Sequence, residues 1–262
     1  MTAAMVEARG LRADYGPTPA LRGLDASVGR GEILAVLGEN GSGKSTFLKV
    51  IARIVPASNG ELLLEGRPLA PMPRRDTARR IAYVPQSLDL VFPIRSLDLV
   101  LQGRAPHHAG FSADSPEDRR RALEAMRACD VEELAERDAS ALSGGEQRRV
   151  FLARALAQEA EIWLLDEPAA GLDPRHRLEF LEILARAHRE RATTVLLVTH
   201  EMDLAGELAD RVLLLREGRT LAQGPPAEVL TRENLRRAFS VETRIEVDAE
   251  GRRRIVPVAP SR

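Results

Sequence analysis

At 262 residues the chain can hold one large domain with lobes and a small tail. Hydrophobic residues reach 44%, enough for a real core, and aromatics only 3%, so that core is aliphatic. Thirty-eight basic against 39 acidic residues leave a net charge of −1, so no global attraction to polyanions is expected and nothing in the composition suggests a nucleic-acid binder. Cys129 is the only cysteine, so an internal disulfide and a cysteine metal cluster are excluded. Its neighbours Ala122, Ala125 and Met126 mark it as a small buried hydrophobe. The N-terminus lacks the basic-then-apolar pattern of a signal peptide, and no apolar run approaches the roughly 18 residues that span a bilayer. A soluble, cytoplasmic chain is expected.

Val6 to Ala13 and Leu21 to Val28 alternate apolar with polar residues and predict two strands joined by turns, an antiparallel layer beside the core. Tyr15 ends the first of them; its residue type fits an aromatic plate for a nucleobase or a half-buried strand end. Ile33 to Leu37 is a buried-looking strand that runs into Gly38-Glu39-Asn40-Gly41-Ser42-Gly43-Lys44-Ser45-Thr46 and then an apolar helix to about Ile54. Strand, glycine loop and helix in that order make a phosphate cradle, because glycines let successive amides turn inward and the helix start adds further N–H donors. Lys44 would reach the terminal phosphates, and the Ser45 hydroxyl would ligate Mg²⁺.

Glu61 to Glu65 reads as a strand, Pro71 to Arg80 as a solvated basic helix, and Ile81 to Val84 as a short buried strand ended by Pro85-Gln86. From Ser87 to about Gln158 apolar residues recur at helical spacing, with Ser115-Pro116-Glu117-Asp118 as a helix start, so this is an inserted helical lobe. His107 and His108 are placed on a surface loop of that lobe. Strands return at Glu161 to Leu165, Thr193 to Val198 and Arg211 to Leu215, with helices Pro174 to Arg191 and Met202 to Leu208 between and after them. That alternation implies a parallel sheet covered on both faces. A short helical tail, Ala227 to Phe239, leads to a hairpin of Thr243 to Val247 and Arg253 to Val258 turning at Asp248 to Gly251.

Three further stretches carry chemistry. Ile162 to Leu165 is an apolar strand ending in Asp166 and Glu167, carboxylates at the strand end where ligands bind in parallel sheets. Asp166 would hold Mg²⁺ and Glu167 would polarise the attacking water. His200 ends another strand and could orient that water, and Gln86 could touch both metal and water. Leu142-Ser143-Gly144-Gly145-Glu146-Gln147 is a serine-capped helix start with glycines exposing amides, hence a second phosphate site far along the chain. One triphosphate rarely needs two such sites, so the economical arrangement is a head-to-tail pair of chains, each completing the site of the other.

Together these motifs resemble the ATP-binding subunit of an ABC transporter, over nearly the whole chain and in the order of that family. Gly38 to Thr46 corresponds to the Walker A loop, Gln86 to the Q-loop, Leu142 to Gln147 to the signature, Ile162 to Asp166 with Glu167 to Walker B, Gly171-Leu172-Asp173 to the D-loop, and His200 to the switch histidine. The resemblance implies an α/β P-loop NTPase fold with a RecA-like core, an N-terminal antiparallel β subdomain and an inserted helical subdomain. It implies an ATPase domain over 1–240, with the helical part at about 87–158, and a hairpin tail at 241–262. It also implies ATP with Mg²⁺ at Ser45, Gln86 and Asp166, Tyr15 stacked on adenine, and Gln86, Glu167 and His200 in catalysis. An ATP-sandwich homodimer follows, with Ser143, Gly144, Gly145 and Glu146 acting in trans and Asp173 connecting the two sites. The remaining partners are membrane permease subunits cradled near Gln86 to Leu99 and, indirectly, a substrate-binding protein. No nucleic acid is expected, and the location is peripheral on the cytoplasmic face of the membrane.

Val100-Leu101-Gln102-Gly103-Arg104-Ala105-Pro106-His107, Gln223 to Leu230 and the closing hairpin are similar to importers of siderophores, haem and cobalamin. Glu146 resembles the haem subunits more than the siderophore ones, and Gly171 stands where alanine is frequent in the D-loop. An importer of zinc, cobalamin or other cargo, or an exporter subunit, stays open on these residues. A non-transport ABC ATPase fits less well: no long coiled coil separates the phosphate loop from the signature, and the chain holds one nucleotide domain.

Overall fold

A computed structural model gives the structure, which describes residues 4–87, 90–108, 114–247 and 253–260. The chain forms two compact units, Met1–Met72 with Thr194–Arg262, and Pro73–Thr193.

The first unit opens with β1 (Ala4–Tyr15) and β2 (Thr18–Gly29), antiparallel partners longer at both ends than the alternation alone suggested. β3 (Ile33–Leu37) follows, buried at every position, as a parallel strand flanked on both sides requires. Then come α1 (Lys44–Ile51), β4 (Asn59–Leu64) and the two-residue β5 (Arg67–Pro68). β2, β1, β4 and β5 form an antiparallel layer in that order.

The second unit contains α2 (Arg74–Arg80), β6 (Ile81–Val84), α3 (Ser96–Leu101), a 3-10 turn over Gln102–His107, α4 (Pro116–Ala128), α5 (Gly144–Ala157), β7 (Ile162–Asp166) and α6 (Pro174–Arg191). Its two strands pair in parallel, Val84 opposite Leu165. α4 and α5 both begin on complete capping boxes, Ser115 with Asp118 and Ser143 with Glu146, which satisfy backbone donors that a helix start leaves orphaned. Cys129 is fully buried, and burial pushes its thiol pKa up, as a packed hydrophobe rather than a nucleophile.

The first unit resumes with β8 (Thr194–Val198), α7 (Met202–Leu208), β9 (Arg211–Arg216), β10 (Arg219–Gly224), α8 (Pro226–Val229), α9 (Arg232–Phe239), β11 (Val241–Val247) and β12 (Arg253–Pro260). β3 pairs in parallel with β8 on one side and β9 on the other, and β10 adds antiparallel to β9. The closing hairpin is anchored where the Ile255 amide donates to Asp203 Oδ1 at 2.6 Å, and Ile255 is buried in a cluster with Leu230, Leu235 and Ala238. Its turn at 248–251 lies outside the described residues.

Three readings differ from the structure. β10 is a strand, yet only its last residue is fully buried, so no alternation marked it. The tail expected over Ala227 to Phe239 is two helices, broken where Thr231 caps α9 by accepting from the Asn234 amide at 3.2 Å. His107 and His108 are not on a surface loop: they belong to the 3-10 turn and its end, half-buried, with Nε2 atoms on the Gln158 carbonyl (2.9 Å) and Asp118 Oδ2 (3.1 Å).

The same turn locks the helical elements together. A Cβ on Gly103 would fall 2.3 Å from the Arg154 carbonyl oxygen, so α5 approaches there against bare backbone. Arg104 is buried and pairs with Asp118 (3.0 Å) and Glu159 (2.7 Å) while donating to the Ala157 carbonyl. The Pro106 carbonyl accepts from Arg75 and Arg79 of α2.

Candidate nucleotide site

The glycine loop leaves the end of β3 and enters α1. Gly38, Gly41 and Gly43 all hold positive φ (+154°, +81° and +100°), a path that side chains rarely follow. A Cβ on Gly38 would meet the Leu215 carbonyl at 2.4 Å, and one on Gly43 the Ala20 carbonyl at 2.8 Å. Main-chain bonds fix the same wall, Gly218 N–H to Ser42 O at 3.0 Å and Arg22 N–H to Gly218 O at 2.8 Å. Lys44 is buried and its ammonium donates to the carbonyls of Gly38 (2.8 Å) and Glu39 (3.0 Å), folding over the loop it follows.

The Ser42 hydroxyl is buried without a hydrogen-bond partner among the described residues. A buried hydroxyl left unpaired is destabilising, and a phosphate oxygen would satisfy it. With Lys44 beside it and glycines framing it, the loop fits an anion of phosphate type. Tyr15 stands exposed at the β1–β2 turn, opposite Thr18, and that turn leads within two residues to the Ala20 carbonyl against Gly43. His200 follows Thr199, whose amide donates to the Val36 carbonyl at 3.3 Å. It therefore leaves β8 beside the strand that feeds the loop.

The second unit gathers the acids. Asp166, only 1% exposed, ends β7 and accepts from the Tyr83 hydroxyl at 3.3 Å. Glu167 follows at φ +49°, a left-handed backbone that a buried non-glycine residue seldom takes. Its Oε2 accepts from Gln86 Nε2 at 2.8 Å. Arg148 of α5 donates to the carbonyls of Glu167 (3.3 Å) and Pro168 (3.0 Å), and to that of Ala170, holding the turn after β7 in shape. Burial lowers the Arg148 pKa, with Glu167 opposing that shift.

Ser143 caps α5, and its hydroxyl and amide both donate to Glu146 Oε2, at 2.7 and 2.8 Å. Those bonds hold the Glu146 carboxyl below the usual range. Asp173 caps α6, accepting from the amides of Arg175 and His176 at 3.1 Å each. The loop residues, Tyr15 and His200 thus belong to one unit, and Gln86, Asp166, Glu167, the α5 start and Asp173 to the other. No motif pointed to Tyr83, Arg148 or His176; a basic residue one turn into the helix after a glycine pair was the available signal for Arg148.

A glycine loop that leaves the end of a buried parallel strand and enters a helix is the arrangement of a P-loop NTPase fold. Residues 21–170 match the ABC transporter family, and the chain belongs to it. It is 44% identical over 261 residues to a hemin import ATP-binding protein of Streptomyces coelicolor, covering 98% of this chain and 90% of that one. It is 36% identical over 234 residues to an iron(3+)-hydroxamate import ATP-binding protein of Bacillus subtilis, covering 89% and 87%. Among solved structures, a metal-chelate type ABC transporter in an inward-facing conformation superposes with a TM-score of 0.84 at 28% identity, over 97% of this chain and 98% of that one. A dimeric ABC cassette in a post-hydrolysis state with ADP and phosphate gives 0.74 at 27%, over 85% and 99%.

Proposed function

We propose that this chain is the ATP-hydrolysing subunit of an importer for haem or a ferric siderophore, working as an ATP-bound pair of copies beneath a membrane permease. The observation that carries this reading is the reach of the similarity to the hemin import protein. It covers 98% of the chain, well beyond the family match that ends at residue 170.

Each proposed step rests on residues of this chain. Gly38 to Thr46 cradles the phosphates, Tyr15 stacks on adenine, and Lys44 moves from the loop carbonyls to the phosphate oxygens. Ser45, Gln86 and Asp166 are hard oxygen donors of the kind Mg²⁺ takes, and the ion supplies charge neutralisation on those oxygens. Because the Gln86 amide nitrogen is committed to Glu167, its oxygen is the atom left for the cation. Glu167 accepts the proton of the attacking water, and His200 orients that water. Ser143, Gly144, Gly145 and Glu146 bind the phosphates held by the other copy, and Asp173 carries the state of one site to its twin.

Among the described residues no helix is long and apolar enough to cross a membrane, so the permease provides the path. Val91 and Phe92, 82% and 77% exposed, are large apolar side chains in the 86–99 segment and suit a permease helix laid against them. We assign the ATPase domain to 1–240, its helical part to about 87–158 and the hairpin tail to 241–262. A substrate-binding protein feeds the permease from the other side, and this chain lies on the cytoplasmic face.

The test is uptake into proteoliposomes holding this chain with its permease, ATP supplied on the side of this chain, and ferric siderophore or haem offered with its binding protein. Uptake of one of them that disappears with Glu167→Gln is the expected result. ATP turnover by an intact complex without uptake of either would overturn the cargo assignment.

A further inference from the structure

Two elements assigned above to meeting a second copy, the start of α5 and the residue before α6, are joined by a side chain outside every motif. His176 Nδ1 lies 2.5 Å from Asp173 Oδ2, while Asp173 Oδ1 takes the amides of Arg175 and His176. The hydrogen bond from His176 is the largest cause of the lowered Asp173 pKa. On its other side the ring rests on α5. A Cβ on Gly145 would come 3.2 Å from Cγ, 3.3 Å from Cδ2 and 3.4 Å from Cβ of His176, whereas a Cβ on Gly144 would meet nothing within 4 Å. Gly145 is buried and has no positive φ, so its lack of a side chain answers to space, and His176 is the group that fills it.

We infer that His176 is a positioning residue that ties Asp173 to Gly145, so that the D-loop and the signature helix move as one piece. The inference rests on the reading of Ser143 to Glu146 and Asp173 as surfaces for a second copy. The imidazole donor holds the Asp173 carboxylate in one rotamer, and the ring thickness sets the spacing to the first turn of α5. Without it, each element would have to be ordered separately when two copies close, and closure would need more nucleotide.

Two measurements decide it. The first is a thermal double-mutant cycle on the full chain with Gly145→Ala, His176→Ala and both. Alanine is the better helix former, so Gly145→Ala should raise the melting temperature in the His176→Ala background and raise it less, or lower it, beside His176. A difference of about 2–4 °C between the two shifts is expected. Equal shifts would overturn the tie, whatever the oligomeric state.

The second places His176 variants in the Glu167→Gln chain and reads the ATP concentration for half-maximal dimer by light scattering. His176→Phe keeps a ring and removes the donor, and should raise that concentration about tenfold, the worth of one charge-assisted hydrogen bond. His176→Asn restores a donor near the Nδ1 position and should recover most of the loss. Unchanged dimerisation of the Phe variant would overturn the inference. A Glu167→Gln chain that stays monomeric at saturating ATP would instead count against the dimer reading, and the thermal cycle would still decide the tie.

Discussion

Gln86 donates its side-chain amide to Glu167 across 2.8 Å, and each lies two residues beyond a directly paired position, Val84 opposite Leu165. The register of two parallel strands therefore delivers an amide and a carboxylate to the same end of the pair. Glu167 is held from two sides, by Gln86 at its carboxylate and by Arg148 at its carbonyl.

Replacing Glu167 by Gln keeps an acceptor oxygen for Gln86 and removes the proton acceptor. Turnover should fall at least about 100-fold while nucleotide binding persists. Steady-state phosphate release and gel filtration with ATP check it; the expected trace is a dimer peak absent without nucleotide.

Lys44→Ala removes the ammonium that rests on the Gly38 and Glu39 carbonyls. The variant should fold, since the main-chain bonds that hold the loop, Gly218 N–H to Ser42 O and Phe47 N–H to Gly43 O among them, remain, but its ATP affinity should drop roughly tenfold or more with the loss of a charge-assisted contact. Calorimetric titration reads the affinity, and native turnover in this variant would sink the loop assignment.

Breaking the buried pair at the lobe should be costly. Arg104→Ala leaves Asp118 buried beside an absent partner and should lower stability by about 3 kcal/mol. The acid dependence has a definite sign. The Asp118 carboxyl is held well below its ordinary range, first by the Ser115 hydroxyl and then, against burial, by the Ser115 amide and Arg104. Its contribution is therefore fully present above the ordinary carboxylate value near about 4 and is lost as pH falls towards the lower folded value. Urea melts between pH 2 and about 6 should show a shallower acid limb in Asp118→Asn than in the native chain.

Gly103→Ala places a methyl group 2.3 Å from the Arg154 carbonyl oxygen, a backbone atom that cannot swing aside. The expected loss is about 1–3 kcal/mol, read as a lower melting temperature. The same substitution at Gly144, where nothing lies within 4 Å, should leave stability nearly unchanged.

The path of the glycine loop was legible because glycines are the residues that take positive φ, and the chemistry proposed for it asks for the same residues, since bare backbone can turn amides toward an anion. Buried strands such as Ile33–Leu37 declared themselves by unbroken apolar runs. β10 did not, because an edge strand half open to solvent leaves no period to read. Val100 to His107 could be likened to iron importers, but the work of its last five residues as a lock among α2, α4 and α5 depends on partners 14 to 55 residues away along the chain. His176 escaped for a related reason. Its meaning comes from two neighbours, one three residues back and one on another helix, and nothing in its own surroundings in sequence announces either.

The wall behind the glycine loop is mostly main chain: the carbonyls of Ala20 and Leu215, and Gly218 bonded to both Ser42 and Arg22, with the Leu21 side chain beside them against Gly43. The Ala20 and Leu215 side chains can change without moving the carbonyls that the loop meets, whereas Gly218, at φ +75°, would put a Cβ 2.5 Å from the Ala20 carbonyl oxygen. A single-residue insertion or deletion between 216 and 218, or between 18 and 20, would shift a carbonyl into the space that Gly38 and Gly43 leave bare. The loop thus tolerates substitution at Ala20 and Leu215 but neither a side chain at Gly218 nor a change of length, an asymmetry that random insertion scanning of this chain, set beside point substitution, would read directly.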